Sequence, residues 1–205
     1  MGTMPSTSSG RLVLIRHGET EWSAAGRHTG LTDVPLTEHG EEQARALRSA
    51  LAGLDVALAL SSPLQRARRT AELAGLDPEI DGDLVEWDYG GYEGISTPEV
   101  RERTGNATWT VFDEGVVPGD TPGETVEEVA ARASRVLQRV EEPLTWGDVV
   151  LVAHGHLLRI LAATRLRQDA RFGAHLLLHP ATLSVVGEEH GVPALDRWNL
   201  EPARS

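Results

Sequence analysis

Apolar positions fall into two patterns along this chain: short unbroken runs, and longer stripes spaced three and four residues apart. Leu12-Val13-Leu14-Ile15 and Val149-Val150-Leu151-Val152-Ala153 are solid apolar runs that stop at a glycine-containing turn. Runs of this length, ended this way, read as buried strands. The pattern predicts strands over Leu12–Arg16, Val56–Leu60, Leu84–Glu86 and Val149–Ala153, with Leu183–Val186 and Ala194–Trp198 as a terminal hairpin. It predicts helices over Thr37–Leu51, Pro63–Ala74, Thr97–Arg103, Glu124–Glu142 and Leu157–Leu166. The longest carries Val126, Val129, Ala133, Val136, Leu137 and Val140 on one face. Strands that alternate with helices imply an α/β fold, a three-layer α/β/α sandwich around a central, mostly parallel (mixed) sheet. Residues 1–10, rich in Ser, Thr and Gly, read as a disordered tail, and residues 11–205 as a single domain.

The two solid runs end alike. The first passes into Arg16-His17-Gly18-Glu19-Thr20, the second into His154-Gly155-His156. In open α/β sheets ligands bind beyond the carboxyl ends of the strands. An Arg-His pair at one such end could be no more than a capped strand with a solvated pair. Two ends with the same chemistry are a different matter: as neighbours in one parallel sheet they bring His17 and His154 together. Arginine offers phosphate oxygens a planar fork. Histidine is nucleophilic near neutral pH and can form a covalent intermediate. Arg66 adds a second arginine in the first turn of a predicted helix, where the N-terminus also favours anions.

Composition narrows the chemistry. The 205 residues are 40% hydrophobic, enough for a sizeable core, and the net charge of −12 argues against a nucleic-acid partner. There is no cysteine, which removes disulfides, thiolate metal sites and cysteine-based phosphatase chemistry. All 19 basic residues are arginine, which removes P-loop phosphate transfer and Schiff-base chemistry. No apolar stretch approaches the length of a membrane span or forms a signal segment, so no membrane association and a cytoplasmic location are expected. Asp81-Gly82-Asp83-Leu84-Val85 fits the D-x-D-x-V pattern of haloacid-dehalogenase-type phosphatases. That pattern needs a preceding hydrophobic strand and a later lysine, and the chain offers neither, so the segment reads as a turn.

Leu14-Ile15-Arg16-His17-Gly18-Glu19-Thr20 resembles the signature of the histidine phosphatase superfamily, which includes the cofactor-dependent phosphoglycerate mutases. The resemblance continues through Thr29-Gly30-Leu31-Thr32-Asp33, Ser61-Ser62-Pro63-Leu64-Gln65-Arg66-Ala67, Glu86-Trp87-Asp88-Tyr89-Gly90, Gly123-Glu124-Thr125 and His154-Gly155-His156, in family order. The Glu86 block is similar to the sugar-bisphosphatase and acid-phosphatase members more than to the mutases. The resemblance implies a metal-independent phosphomonoesterase, without cofactor, acting on a small phosphate ester such as a sugar phosphate.

It also implies the roles. His17 attacks phosphorus and becomes phosphohistidine. Arg16, Arg66 and His154 hold the transferring oxygens. Glu86 protonates the leaving oxygen and then activates water. Ser23, Thr29, Gly30, Tyr89 and Gly155 fall on substrate-side positions, although Ser23 stands where the mutases carry asparagine. Two other readings use the same fold. A mutase would need basic residues after Glu86 to hold its product, and Ile95–Pro122 offers only Arg101 and Arg103. A non-catalytic phospho-ligand module would not need all five catalytic positions. A homodimer fits a small enzyme of this type.

Overall fold

The structure is a computed structural model that describes residues 10–202. The predicted N-terminal tail lies, but for Gly10, outside the described residues. The chain runs β1 (Leu12–Arg16), α1 (Glu21–Ala24), α2 (Glu38–Leu51), β2 (Val56–Ser61), α3 (Gln65–Leu73), β3 (Glu79–Ile80), α4 (Thr97–Thr104), α5 (Val111–Glu114), α6 (Val126–Val140), β4 (Asp148–Ala153), α7 (Gly155–Arg165), β5 (Leu183–Glu189) and β6 (Val192–Leu200). The strands form one six-stranded sheet in the order β3-β2-β4-β1-β5-β6. The first four in that order are mutually parallel, and β5 and β6 add as an antiparallel hairpin.

Side-chain alternation along the solid runs creates the three layers. Leu12 and Leu14 of β1, with Val149, Leu151 and Ala153 of β4, face one core cluster with α6 and α7. Val13 and Ile15, with Val150 and Val152, face the other, beneath α2 and α3. Both faces are covered, so neither run alternates with polar residues. Each fully buried Val, Leu or Ile contributes about 1.5–3 kcal/mol.

Register brings the two histidines together. Arg16 pairs with Ala153, and the His17 N–H donates to the Ala153 carbonyl at 2.9 Å. At the other end of the same two strands, the Arg11 backbone N–H and its Nε and Nη2 donate to the buried Asp148 carboxylate at 2.9, 3.0 and 2.7 Å. A slip of one residue would break that fork and turn every apolar side chain to the wrong face.

Several predicted boundaries move. α3 starts at Gln65 rather than Pro63, with Leu64 as its N-cap. α6 is shorter than Glu124–Glu142, because Thr125 forms a capping box with Glu128. The strand expected over Leu84–Glu86 does not form. Gly82–Leu84 is a single 3-10 turn started by the Asp81 side chain, and residues 85–89 are irregular. Only the short β3, absent from the sequence reading, extends the sheet on that side, pairing with Leu60 and Ser61. α1 and α5 were also not anticipated; each is one turn long and capped by a threonine, Thr20 and Thr110.

Candidate active site

β1 ends in a turn that two glycines make possible. A Cβ on Gly18 would stand 2.4 Å from the Gly40 carbonyl oxygen, and one on Gly40 would stand 2.1 Å from the Glu19 carbonyl oxygen. The chain leaving β1 therefore runs directly against the first turn of α2. Thr70 fastens it by accepting the Gly18 N–H at 3.0 Å, and Glu19 accepts the Thr37 hydroxyl at 2.9 Å.

This turn sets the state of His17. Its Nδ1 lies 2.7 Å from the Gly18 carbonyl oxygen. A carbonyl only accepts, so Nδ1 carries the proton and Nε2 keeps its lone pair. His17 is buried, at 4% exposure. Burial first, then the charges of Arg66 and Arg16, push its imidazole well below the ordinary histidine range. The result is a neutral ring with one nitrogen free to attack.

The three cationic and imidazole partners are placed differently. Arg16 donates Nη1 to the Leu178 carbonyl at 2.6 Å, while its buried Nε–H has no partner among the described residues. Gly155 lies against this guanidinium: an added Cβ would stand 3.4 Å from Cζ and Nε. His154 stands beside His17, ring centroids 5.2 Å apart. Its Nδ1 accepts from Arg66 Nε at 3.2 Å, so its Nε2 carries the proton and reaches Ser62 Oγ at 2.8 Å. Arg66 is fully buried, and Nη1 and Nη2 donate to the carbonyls of Thr32, Thr29 and Gly30 at 2.8, 3.1 and 2.8 Å. Four of its five donors are thus spent on the protein, which leaves one Nη1 N–H for an anion. Arg16 is the freer of the two arginines.

Glu86 meets the N-terminus of α7. Its Oε1 accepts the N–H groups of Trp87 and Leu157, both at 2.9 Å, and its Oε2 accepts that of His156 at 3.0 Å. His154, the N-cap of α7, supplies no side-chain cap. Glu86 takes that place and sits at the positive end of the helix dipole. Oε1 holds two donors. Oε2 holds one and keeps a lone pair uncommitted.

Arg16, His17, Glu86, Tyr89, Gly155, Ser23 and Thr29 line one cavity of about 290 Å³. Two larger hollows, of about 490 and 440 Å³, lie elsewhere, one beneath Val56 and Leu76, the other between His39 and His179. Neither holds a comparable convergence of cationic and nucleophilic groups. Tyr89 is buried, stacks on His28 with centroids 4.8 Å apart, and bonds through its hydroxyl to His156 Nδ1. Burial pushes its phenol well up, so it stays an O–H donor. The Ser23 hydroxyl is committed to the Thr20 capping box. Gly30 lies behind the wall: a Cβ there would meet Glu93 and the Trp87 carbonyl at 2.6 Å.

Among the cavity residues without a role in the sequence reading are Arg27, Thr97, His156 and Arg159. His156 and Arg159 stand three residues apart on the first turns of α7, and that spacing puts them on one helical face. Burial first, then Arg159, His28 and Arg16, pushes the His156 imidazole well below its ordinary range. Arg159 packs over the Phe112 ring at 4.8 Å and donates to the carbonyls of Gly173 and Ala174. Among the described residues no group of three or more His, Asp or Glu is arranged to hold a metal. Asp81 and Asp83 face Arg139 and Arg135 on α6 instead of the cavity. No helix among the described residues is long and apolar enough to cross a membrane.

Comparison with known proteins gives a consistent picture. A family model described as histidine phosphatase superfamily (branch 1) matches residues 12–201. An acid phosphatase of Mycobacterium tuberculosis is 40% identical over 189 residues, 90% of each chain. Sedoheptulose 1,7-bisphosphatase of Saccharomyces cerevisiae is 34% identical over 192 residues, 78% of this chain and 68% of that one. An Escherichia coli protein named "probable phosphoglycerate mutase" is 31% identical over 198 residues, 94% and 92% of the two chains. A solved structure of a Mycobacterium tuberculosis open reading frame superposes with a TM-score of 0.88 at 38% identity, covering 95% of this chain and 99% of that one.

Proposed function

The chain belongs to the histidine phosphatase superfamily, and on that premise we propose that it hydrolyses small phosphate monoesters through phosphohistidine on His17. The enzyme is a phosphatase; relatives bearing acid phosphatase and bisphosphatase names support that reading, and the mutase reading has less support. One observation carries the mechanism. A neutral, buried His17 presents Nε2 beside Arg16, whose buried Nε–H has no acceptor among the described residues. A phosphate oxygen supplies that acceptor.

His17 Nε2 attacks phosphorus as the bond to the ester oxygen breaks, and the leaving oxygen takes the proton of Glu86 Oε2. Water then attacks the phosphohistidine and returns a proton to Glu86. Inorganic phosphate leaves and His17 is restored. Arg16, the one free N–H of Arg66 and the N-terminus of α7 supply the positive field that a metal supplies elsewhere. His154, engaged by Arg66 and Ser62, must exchange its Ser62 bond to reach a phosphate oxygen.

A sugar phosphate suits the substrate side, in keeping with the name of the yeast relative and the size of the cavity. The mutase reading is further weakened by Arg101, which donates to the Trp109 carbonyl at 3.1 Å and so serves its own loop. A cytoplasmic homodimer rests on the sequence reading alone. The test is a screen over phosphorylated metabolites in excess EDTA, with His17→Ala as control. Turnover of at least one ester, lost by several orders of magnitude in His17→Ala, is expected. Turnover that needs added magnesium, or survives in His17→Ala, contradicts the proposal.

A further inference from the structure

Glu86 lies on a stretch with no ladder partner among the described residues. Residues 82–84 form one 3-10 turn, and 85–89 are irregular. Buried carbonyls on such a stretch must find donors elsewhere. Three of them, those of Asp83, Val85 and Glu86, find donors in one side chain. Arg132 stands on the apolar stripe of α6 between Val129 and Val136 and is only 9% exposed. Its Nη1 donates to the carbonyls of Asp83 and Val85 at 2.8 and 3.0 Å, and its Nη2 to that of Glu86 at 3.4 Å. Nε and Nη2 also hold both oxygens of Glu124, each at 2.8 Å. Five N–H groups meet five acceptors, so the guanidinium is fully used.

Glu124 grips the same stretch from beyond Glu86. Its Oε2 accepts the Asp88 N–H at 3.0 Å, and its own N–H donates to the Asp88 carbonyl at 3.0 Å. Its carbonyl accepts the Trp87 indole N–H at 2.7 Å. The pair therefore fixes main chain on both sides of Glu86. Neither residue lines the cavity.

We propose that Arg132 and Glu124 are positioning residues for Glu86, standing in for the missing strand and setting its carboxyl against the N-terminus of α7. The proposal rests on the reading of Glu86 as proton donor. Lysine cannot replace Arg132, because a compact ammonium has three donors and no planar fork.

The test is single-turnover hydrolysis of an alkyl phosphate and of p-nitrophenyl phosphate by Arg132→Lys and Glu124→Gln, each alone and combined with Glu86→Gln. Misplacing a reacting group from a distance costs about 10²-fold. Each single variant is expected to lose about that much on the alkyl phosphate and far less on p-nitrophenyl phosphate, whose leaving group hardly needs a proton. Neither should add to the loss already present in Glu86→Gln. Equal loss on both substrates, loss that multiplies with that of Glu86→Gln, or failure of both variants to fold overturns the proposal. The underlying reading fails differently: Glu86→Gln alone would then lose equally on both substrates.

Discussion

His17 and His154 stand at the ends of two paired strands, whereas Glu86 stands on a stretch with no strand beside it. For the histidines, backbone register does the placing: Arg16 opposite Ala153, with Gly18 and Gly40 in contact just beyond. For Glu86, side chains do it: Arg132 and Glu124 hold its flanks, and two N–H groups of α7 hold its carboxyl. The difference teaches that one site can draw on two kinds of order. A register is written into an apolar run many residues long. A clamp depends on two residues and can be undone by one substitution.

Three experiments break or sharpen this contrast. The largest effect is expected at the clamped carboxyl itself. General acids contribute about 10²–10⁴-fold. Glu86→Gln should lose that much on an alkyl phosphate and much less on p-nitrophenyl phosphate in single-turnover assays. Equal losses would assign Glu86 to support alone.

On the register side, Gly18→Ala places a methyl 2.4 Å from the Gly40 carbonyl oxygen, both of them backbone-bound. Such overpacking costs about 1–3 kcal/mol, and a shift of the Gly18 carbonyl releases Nδ1 of His17. We expect a loss of about 10²-fold in turnover, equal on both esters, since nucleophile and not leaving group is disturbed. Wild-type stability together with wild-type turnover would show that the turn does not set the His17 ring.

The third effect is on stability and is graded with pH. Burial first, then arginine charge, pushes the imidazoles of His17 and His154 well below their ordinary range, and His156 follows for the same reasons. In the unfolded chain all three titrate near 6.5. Above that pH neither state is protonated and this contribution is fully present. As pH falls below it, the unfolded chain binds protons that the folded chain does not. Stability should then decline by up to about 1.4 kcal/mol per pH unit for each histidine. Denaturant midpoints between pH 7.5 and 5 read this directly, and a flat profile contradicts it. The same displacement keeps His17 unprotonated at acid pH, so phosphorylation should persist where an exposed histidine is charged.

The contrast also explains what the sequence made legible. The strand-end pair was readable because solid apolar runs, glycine stops and matching His-Gly ends all lie within a few residues. Adjacency of His17 and His154 then followed from parallel pairing alone. Glu86 was marked by its neighbours in the motif, but its surroundings were misread as a strand, since nothing local says that its carbonyls bond to a helix some 45 residues away. The one visible sign was Arg132 on an otherwise apolar stripe. Arg66 shows a similar limit: its place in the first turn of α3 was foreseen, but not the three loop carbonyls that occupy it. Contacts of that kind depend on how a distant loop returns, which periodicity does not encode.

The central claim is that Nε2 of His17 takes the phosphoryl group. Rapid mixing of enzyme with phosphate-labelled substrate, quenched in alkaline denaturant because a P–N bond is acid-labile, tests it most directly. Peptide mapping should find the label on His17 alone, appearing at a rate no slower than turnover and absent from His17→Ala. Label on an aspartate, a serine or another histidine, or turnover with no labelled protein at any time, would contradict the account.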